Sequence, residues 1–202
     1  MERRKFLLAI ATIAATGPAL VNANVGPMAK DKCLIAYFSR KGMNYVNGKI
    51  VDLKVGNTEV IAKKIQAQTG GDMFKIETVK TYPTEYEECT KVAQKELNDK
   101  ARPKLTKTLS NLKDYDVIYL GYPIWWGTMP MAVYTFLNSY DFAGKTIVPF
   151  CTHEGSDLGS SVQDIKKTCP KARVLPGLAI KGSNVNDPVS EKTVAAWIKK
   201  SK

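Results

Sequence analysis

The chain has 202 residues, of which 44% are hydrophobic, and it carries a formal net charge of +11. This length allows one sizeable core and is short for two independent domains. Four cysteines without CxxC pairing or metal-ligand spacing, together with a single histidine, argue against a zinc site. The lysines occur in pairs typical of solvated helix surfaces and lack interleaved aromatic residues, so we predict no nucleic-acid partner.

The first 23 residues have the layout of a secretory signal peptide. A basic stretch at 3–5 precedes an apolar run over 6–15, and small residues follow at 21–23. The run is too short and too rich in alanine and threonine for a membrane-spanning helix, which needs about 20 apolar residues. We therefore predict cleavage after Ala23, a short linker over 24–31, and no stable membrane insertion of the mature chain.

The pair Arg3-Arg4, followed by Lys5-Phe6-Leu7, resembles the twin-arginine export signal, whose pathway carries proteins that are already folded. An ordinary secretory signal that contains two arginines is the alternative. In both cases the sequence predicts an exported, periplasmic protein. Loss of the signal leaves a mature chain with a net charge near +9.

From Lys32 onward, short apolar runs alternate with amphipathic helical stretches, which indicates βαβ units and a parallel sheet covered on both faces. The first strand is predicted over 33–38, and its nearly continuous apolar sequence is typical of a central strand. The first helix is predicted over 58–69 and ends at Gly70-Gly71. A second strand over 73–77 alternates apolar and polar side chains, as at a sheet edge.

An excursion over 41–55 separates the first strand from the first helix. Within it, Asn47-Gly48 lies between the apolar-bearing flanks 45–46 and 49–51, which is a strong hairpin signal. We predict a small flap beside the start of the helix, with a disordered insertion as the alternative.

The alternation continues beyond the second strand. Thr84 and Glu87 form a capping-box signature that predicts a helix over 84–97. A third strand is predicted over 116–120, and Pro130 suits the first turn of the helix that follows.

The last third of the chain adds a fourth strand over 146–150 and a helix that ends near residue 168. A fifth strand over 173–175, with an extension to residue 180 left open, precedes a helix that begins at Asp187-Pro188. Five strands and five helices predict an α/β fold with a doubly wound five-stranded parallel sheet and helices on both faces. Such sheets bind ligands beyond the carboxyl ends of their strands, where the chain order reverses.

Three loops at that edge carry unusual residues. The first joins Ser39 to Gly56-Asn57-Thr58 at a helix N-terminus, where free N–H groups and the helix dipole favour an anion such as phosphate. Ordinary helix caps are the alternative for these residues.

The second loop places two tryptophans beside Gly127. We predict that one packs on a planar ligand, and the alternative is that both cover the core.

The third loop, over 152–159, is rich in small and polar residues and offers several backbone N–H donors. His153 within it is either structural or a hydrogen-bonding partner of the ligand. A hydrolase that pairs His153 with Ser39 or Ser156 is a rival interpretation, but the sequence lacks a GxSxG elbow.

Taken together, the chain resembles the bacterial flavodoxin-like family of FMN-binding proteins in four segments: 36–39, 56–58, 121–127 and 150–153. The resemblance implies the sheet order 2-1-3-4-5 and one non-covalently bound FMN, with its phosphate at the first loop and its flavin ring at the other two. The implied cofactor-binding residues are Ser39, Arg40, Asn57, Thr58, Pro123, Ile124, Trp125, Trp126, Gly127, Thr128, Thr152, His153, Gly155 and Ser156.

The resemblance also implies an oxidoreductase or electron carrier in which the flavin performs the redox chemistry, so we assign no catalytic side chain. The expected partner is a redox protein or a small-molecule electron acceptor. An NAD(P)H-dependent quinone or flavin reductase of the same fold, and a non-redox protein for another phosphate-bearing ligand, are the alternatives.

Two features depart from the family pattern. The excursion over 41–55 interrupts the phosphate loop, and a mature charge near +9 contrasts with the acidic surfaces of ordinary flavodoxins. A cofactor made in the cytoplasm also favours twin-arginine export, since that pathway carries the folded, loaded protein.

Overall fold

A computed structural model of the chain describes residues 32–201, so the predicted signal peptide and linker lie outside the described residues. The strands in chain order are β1 (Cys33–Tyr37), β2 (Gly42–Val46), β3 (Lys49–Leu53), β4 (Asp72–Lys75), β5 (Val117–Pro123), β6 (Thr146–His153), β7 (Arg173–Val174) and β8 (Leu178–Lys181). The helices are α1 (Asn57–Thr69), α2 (Tyr86–Asn98), α3 (Met131–Asn138), α4 (Ser161–Thr168) and α5 (Pro188–Lys200).

The central sheet is parallel throughout. β1 lies between β4 and β5, β6 pairs with β5, and both β7 and β8 pair with the far side of β6. This arrangement confirms the predicted doubly wound order, in which the chain reverses direction between β1 and β5. The carboxyl ends of β1, β5 and β6 therefore meet at one edge.

The fifth position of the sheet differs from the prediction because two short strands occupy it. β7 ends at Val174, Pro176 follows without a backbone N–H to donate, and β8 begins at Leu178. Gly177 lies between them where a Cβ would come within 2.8 Å of the Leu158 side chain. The break lets the chain pass Leu158 and resume pairing with β6 nearer the functional edge.

Alternate side chains of the sheet enter two separate cores. Leu34 and Ala36 of β1 pack in the core beneath α3 and α4, whereas Ile35 and Tyr37 pack in the core beneath α1 and α5. Burial of a side chain such as Leu34 or Ile35 contributes about 1.5–3 kcal/mol relative to exposure. The continuous apolar sequence of β1 is thus explained by helices on both of its faces.

Several element boundaries differ from the sequence prediction. Helix α2 begins at Tyr86, and no side chain caps it, so the capping box predicted from Thr84 and Glu87 is wrong. Strands β5 and β6 run on to Pro123 and His153 because their backbones keep pairing beyond the predicted ends. The predicted hairpin is present as β2 and β3, which pair antiparallel around a turn at 47–48.

None of the helices within residues 32–201 is long and apolar enough to cross a membrane. The four cysteines, all within that range, are free thiols. Cys151 is buried within β6, whereas Cys33 at the start of β1 is only half-buried.

Candidate functional site

A cavity of about 280 Å³ opens at the carboxyl edge of the sheet, between the start of α1, the β2–β3 hairpin and the ends of β5 and β6. It is lined by ten of the predicted cofactor-binding residues: Ser39, Arg40, Asn57, Thr58, Pro123, Ile124, Trp125, Thr152, His153 and Ser156. Four predicted residues are not part of this lining: Trp126, Gly127, Thr128 and Gly155. We call this space the first cavity.

The start of α1 forms one end of the first cavity. The Ser39 hydroxyl accepts a hydrogen bond from the N–H of Glu59 at 3.0 Å and so caps the helix from outside it. Asn57 and Thr58 are the first residues of the helix itself, where N–H groups have no intrahelical acceptor. The first turn therefore presents donors to the cavity, as an anion site requires.

Close packing holds this end in shape. A Cβ on Gly56 would lie 2.3 Å from the Ser39 hydroxyl and 2.4 Å from the Arg40 carbonyl oxygen. Only glycine fits at this position, because the chain passes within contact distance of the residues that follow β1.

A buried hydrogen bond joins the first loop to the third. The hydroxyls of Thr58 and Thr152 lie 2.8 Å apart, and both residues are almost fully buried. The N–H of Ile124 donates to the Thr152 carbonyl at 2.9 Å and so attaches the second loop as well. The three loops predicted separately from the sequence are therefore one connected unit.

The two tryptophans of the second loop differ in their surroundings. Trp125 is half-buried and meets the rings of Phe38 and Tyr82 edge-on, with centroids 5.3 and 5.1 Å away. Trp126 is 50% exposed, lies outside the first cavity, and donates its ring N–H to the Thr90 carbonyl at 3.0 Å. Trp125 is thus the one that lines the predicted flavin site.

A tight turn explains why these neighbouring side chains diverge. Trp125 and Thr128 exchange backbone hydrogen bonds, and the two residues between them, Trp126 and Gly127, have φ of 50° and 80°. The Gly127 carbonyl accepts from the N–H of Ser160 at 2.8 Å. Gly127 therefore serves the turn and its attachment to the next loop.

Asp164 anchors the same turn from α4. Its carboxylate accepts hydrogen bonds from the hydroxyls of Thr128 and Ser160, each at 2.7 Å. Burial alone would raise the pKa of Asp164, but hydrogen bonds from Ser160, Thr128 and Tyr134 lower it overall. Thr128 is consequently a buried support of the site rather than part of its lining.

His153 has a structural role in the third loop. Its Nδ1 accepts from the N–H groups of Gly155 and Asp157 at 3.1 and 3.0 Å, and its Nε2 lies 3.3 Å from an Asp157 carboxylate oxygen. Within the described residues, neither Ser39 nor Ser156 hydrogen-bonds to this imidazole. The geometry that a serine hydrolase needs is therefore not formed there.

Arg40 also hydrogen-bonds to main-chain atoms of the protein. Its guanidinium donates to the main-chain carbonyls of Met43 at 2.5 Å, Pro83 at 2.8 Å and Thr84. These bonds fasten the base of the hairpin to the segment before α2. Arg40 also lines the first cavity, and its role toward the phosphate stays a prediction.

Sequence reasoning missed six residues that line the first cavity: Asn44, Tyr45, Leu53, Tyr86, Glu154 and Gly182. Asn44, Tyr45 and Leu53 belong to the excursion predicted as a flap, and Glu154 belongs to the third loop. The sequence had therefore placed these segments near the site without identifying the residues. Tyr86 and Gly182 come from distant segments whose local sequence does not indicate a place in the site.

Glu154 is the most informative of these residues. One carboxylate oxygen, Oε2, accepts from the N–H of Asn47 at the hairpin tip at 2.9 Å. The other, Oε1, is buried and has no hydrogen-bond partner among the residues that the structure describes. A Cβ on Gly182 would lie 2.2 Å from this Oε1 and 2.5 Å from the Asn57 side-chain nitrogen. A buried acceptor of this kind requires a donor from a ligand or water.

Comparisons with known proteins agree with this architecture. The family model described as Flavodoxin matches residues 32–201. A protein described as a flavoprotein from Bacteroides eggerthii is 32% identical, with 84% of this chain and 97% of that chain covered and a TM-score of 0.68. A similar protein from Bacteroides uniformis is 31% identical over 84% and 98% of the two chains, with a TM-score of 0.66.

A flavoprotein from Lactobacillus acidophilus, solved in complex with FMN, shares the fold at 17% identity. The alignment covers 83% of this chain and 99% of that chain, with a TM-score of 0.60. No curated protein matches the sequence.

Proposed function

Because the chain belongs to the flavodoxin family, we propose that it binds one FMN in the first cavity and acts as an FMN-dependent oxidoreductase or electron carrier. The observation that carries the proposal is the convergence of three loops on one cavity, joined by the Thr58–Thr152 hydrogen bond. The family assignment supports FMN as the predicted cofactor.

The first cavity offers suitable partners for both ends of FMN. The N–H groups at the start of α1, beside Ser39, are donors for the phosphate. The unpartnered Glu154 Oε1 is an acceptor, and FMN carries matching donors in its ribityl hydroxyls and its ring N–H. The cofactor would thus supply a donor to the one buried side-chain polar atom that has no partner within residues 32–201.

The flavin supplies the redox chemistry when it is bound. The protein's own residues bind and orient it. Ile124 and Trp125 provide an apolar wall, and the buried hydroxyl pair of Thr58 and Thr152 fixes the distance between the phosphate end and the ring end. No side chain of the first cavity is needed as an acid or base.

Titration with FMN tests the proposal. The protein should quench FMN fluorescence at one-to-one stoichiometry, and Thr58→Val should weaken binding by about tenfold, which corresponds to roughly 1.4 kcal/mol. Thr193→Val is the matched control because this threonine is exposed on α5 and far along the chain from the three loops. Protein that remains colourless and takes up no FMN would favour the non-redox alternative.

Anaerobic reduction distinguishes a reductase from a carrier. Rapid bleaching of the bound flavin by NADH or NADPH would indicate an NAD(P)H-dependent reductase. Reduction by dithionite, without reaction with either nucleotide, would indicate a carrier supplied by another protein.

Export to the periplasm by the twin-arginine pathway is part of the same proposal, and it rests on the sequence of residues 1–23. A reporter fused after Ala23 should be exported with its folded structure intact. Replacement of Arg3-Arg4 by two lysines should abolish that export, whereas continued export of the variant would indicate an ordinary secretory signal.

A further inference from the structure

Basic side chains gather at the amino edge of the central sheet, opposite the first cavity. Strands β1, β5, β6 and β7 begin there, and hydrogen bonds join the residues around their first positions. The Lys32 carbonyl accepts from the N–H of Asp116 at 3.0 Å, and the Lys145 carbonyl accepts from the N–H of Arg173 at 2.8 Å. The Lys145 ammonium donates to the Lys113 carbonyl at 2.9 Å. These bonds bring cations from four segments of the chain together.

Two helices add cations at the ends that lie toward this edge. Helix α4 carries lysines at 166–167 in its last turn, and Lys171 follows just before β7. In helix α5 the Trp197 ring reaches Tyr119 near the start of β5, with centroids 5.6 Å apart, and the lysines at 199–200 come next. We call these nine cations the amino-edge patch: Lys32, Lys113, Lys145, Lys166, Lys167, Lys171, Arg173, Lys199 and Lys200.

The amino-edge patch has an excess of positive charge. The starts of the strands contribute four carboxylates: Asp72, Asp114, Asp116 and Asp141. Asp72 already accepts from the Tyr115 hydroxyl at 2.8 Å, and Asp141 accepts from the N–H of Ala143 at 2.9 Å. None of the ion pairs formed within residues 32–201 includes a cation of the patch. These cations are therefore available to an external anionic surface.

The loops around the first cavity have no such excess. Five cations there are balanced by six carboxylates, namely Arg40, Lys41, Lys49, Lys54 and Lys181 against Asp52, Glu85, Glu87, Glu88, Glu154 and Asp157. Strand β6 crosses the sheet between the two edges with 8 residues, a length of about 25 Å. A surface that covers the amino-edge patch thus lies far from the first cavity and leaves that cavity open.

The path of the chain favours a lipid surface as the occupant. Lys32 is the first described residue, so the chain enters the domain at this edge. Residues 24–31 connect it to the predicted export signal, and a linker of that length spans at most about 30 Å. The edge therefore stays close to the membrane while the signal is in it. The proposed export also separates the protein from cytoplasmic nucleic acid.

From these observations we infer that the amino-edge patch binds the surface of an anionic lipid bilayer, with the first cavity on the side away from the lipid. Lysine and arginine side chains near such a surface are attracted to the lipid phosphates, and each one adds to the binding. The attraction is peripheral and weakens as salt is added. The inference goes beyond the proposed function, because it does not depend on bound FMN.

Vesicle sedimentation tests the inference with the chain from residue 24 onward. This chain lacks the apolar run over 6–15 and retains both cores and the whole central sheet. It should sediment with phosphatidylcholine vesicles that contain about 30% phosphatidylglycerol and stay in solution with pure phosphatidylcholine. Salt at about 1 M, where the Debye length is about 3 Å, should release it.

Charge reversal locates the binding surface. Lys113→Glu combined with Lys171→Glu should weaken vesicle binding about tenfold or more. Lys80→Glu combined with Lys91→Glu is the matched control, because these lysines are also exposed, lie outside the patch and give the same change in net charge. Lys113→Gln combined with Lys171→Gln should weaken binding about fivefold, and this milder pair keeps the test valid where the reversed pair folds poorly.

A loss of binding in the patch variants, with the control pair within about twofold of the wild type, supports the inference. Three results would overturn it: no binding of the wild-type protein to the anionic vesicles, equal binding to neutral vesicles, or an equal loss in the patch and control pairs. Binding to a DNA duplex in place of the vesicles would also overturn it and assign the patch to nucleic acid. FMN affinity, measured in parallel, should stay unchanged in every variant. Wild-type protein that binds vesicles but takes up no FMN would remove the proposed function and leave this inference intact.

Discussion

The start of α1 and the β2–β3 hairpin both line the first cavity and are held in place by different contacts. At α1, Gly56 packs against Ser39, and Thr58 is buried in a hydrogen bond to Thr152. Strand β3 of the hairpin is largely exposed. The hairpin is attached at its base by the Arg40 bonds and the N–H of Met43, along β2 by the stacking of Tyr45 on Tyr86, and at its tip by bonds of Asn47 to Glu154 and Lys181.

The two regions should therefore control different properties: the global stability of the domain and the local opening of the hairpin. Contacts at α1 belong to the core of the domain, so their loss should lower the global stability. Contacts of the hairpin link an exposed segment to the domain, so their loss should change local opening and leave the core intact. Four substitutions test this comparison, from the largest expected effect to the smallest.

Gly56→Ala should have the largest effect, because the new methyl group would overlap the Ser39 hydroxyl and the Arg40 carbonyl. Overpacking of this kind costs about 1–3 kcal/mol, and displacement of the cradle should also weaken FMN binding. Urea unfolding and FMN titration measure the two effects. Gly48→Ala in the hairpin turn is the control for FMN binding: no atom lies within 4 Å of its added methyl group, and the strain of a side chain at its φ of 86° falls on the turn and not on the start of α1. An equal FMN defect in both variants would contradict the comparison.

Thr58→Val should follow in size. Valine keeps the volume but leaves the buried Thr152 hydroxyl without its partner, which costs about 1–3 kcal/mol. The expected result is a lower urea midpoint with an unchanged slope. Thr193→Val, on the exposed face of α5, should stay within about 0.5 kcal/mol of the wild type. A Thr58 variant as stable as this control would mean that the buried bond contributes nothing to stability.

Arg40→Met should release the base of the hairpin with a smaller effect on global stability. The carbonyls that lose the guanidinium lie near the surface, where water can replace it. We expect trypsin to cleave at Lys49 or Lys54 about tenfold faster, equivalent to roughly 1.4 kcal/mol of local opening. Arg102→Met, which removes an exposed arginine that does not contact the hairpin, should leave this rate unchanged. If the variant instead unfolds globally at a much lower urea concentration, Arg40 contributes to the global stability of the domain, as the α1 contacts do.

Glu154→Gln should have the smallest effect on the free protein. The amide oxygen can still accept from the N–H of Asn47, so the hairpin tip stays attached. Loss of the negative charge should weaken the bond to a donor on FMN and reduce affinity about fivefold, or roughly 1 kcal/mol. Glu191→Gln, exposed on α5, is the control. A gain in FMN affinity would show that Glu154 repels the phosphate rather than accepting from the ribityl chain or the ring.

Local features of the sequence were sufficient for much of the architecture. Apolar runs of strand length predicted the sheet, and Asn47-Gly48 predicted the hairpin because both residues adopt positive φ, here 49° and 86°. Pro188 correctly marked the start of α5. The failed capping box at Thr84 has a tertiary cause, since its carbonyl accepts from Arg40 and from the N–H of Met43.

The sequence by itself therefore determined the fold, the family and the three loops, because periodicity and turn chemistry act between residues close in the chain. Only the tertiary structure decided what the loop residues contact. Arg40 hydrogen-bonds to the main chain at Pro83 while lining the first cavity, and Trp126 lies outside that cavity and bonds to Thr90. Glu154 was left with an unpartnered oxygen. These outcomes depend on contacts between segments distant in sequence, and a local pattern carries no information about such partners.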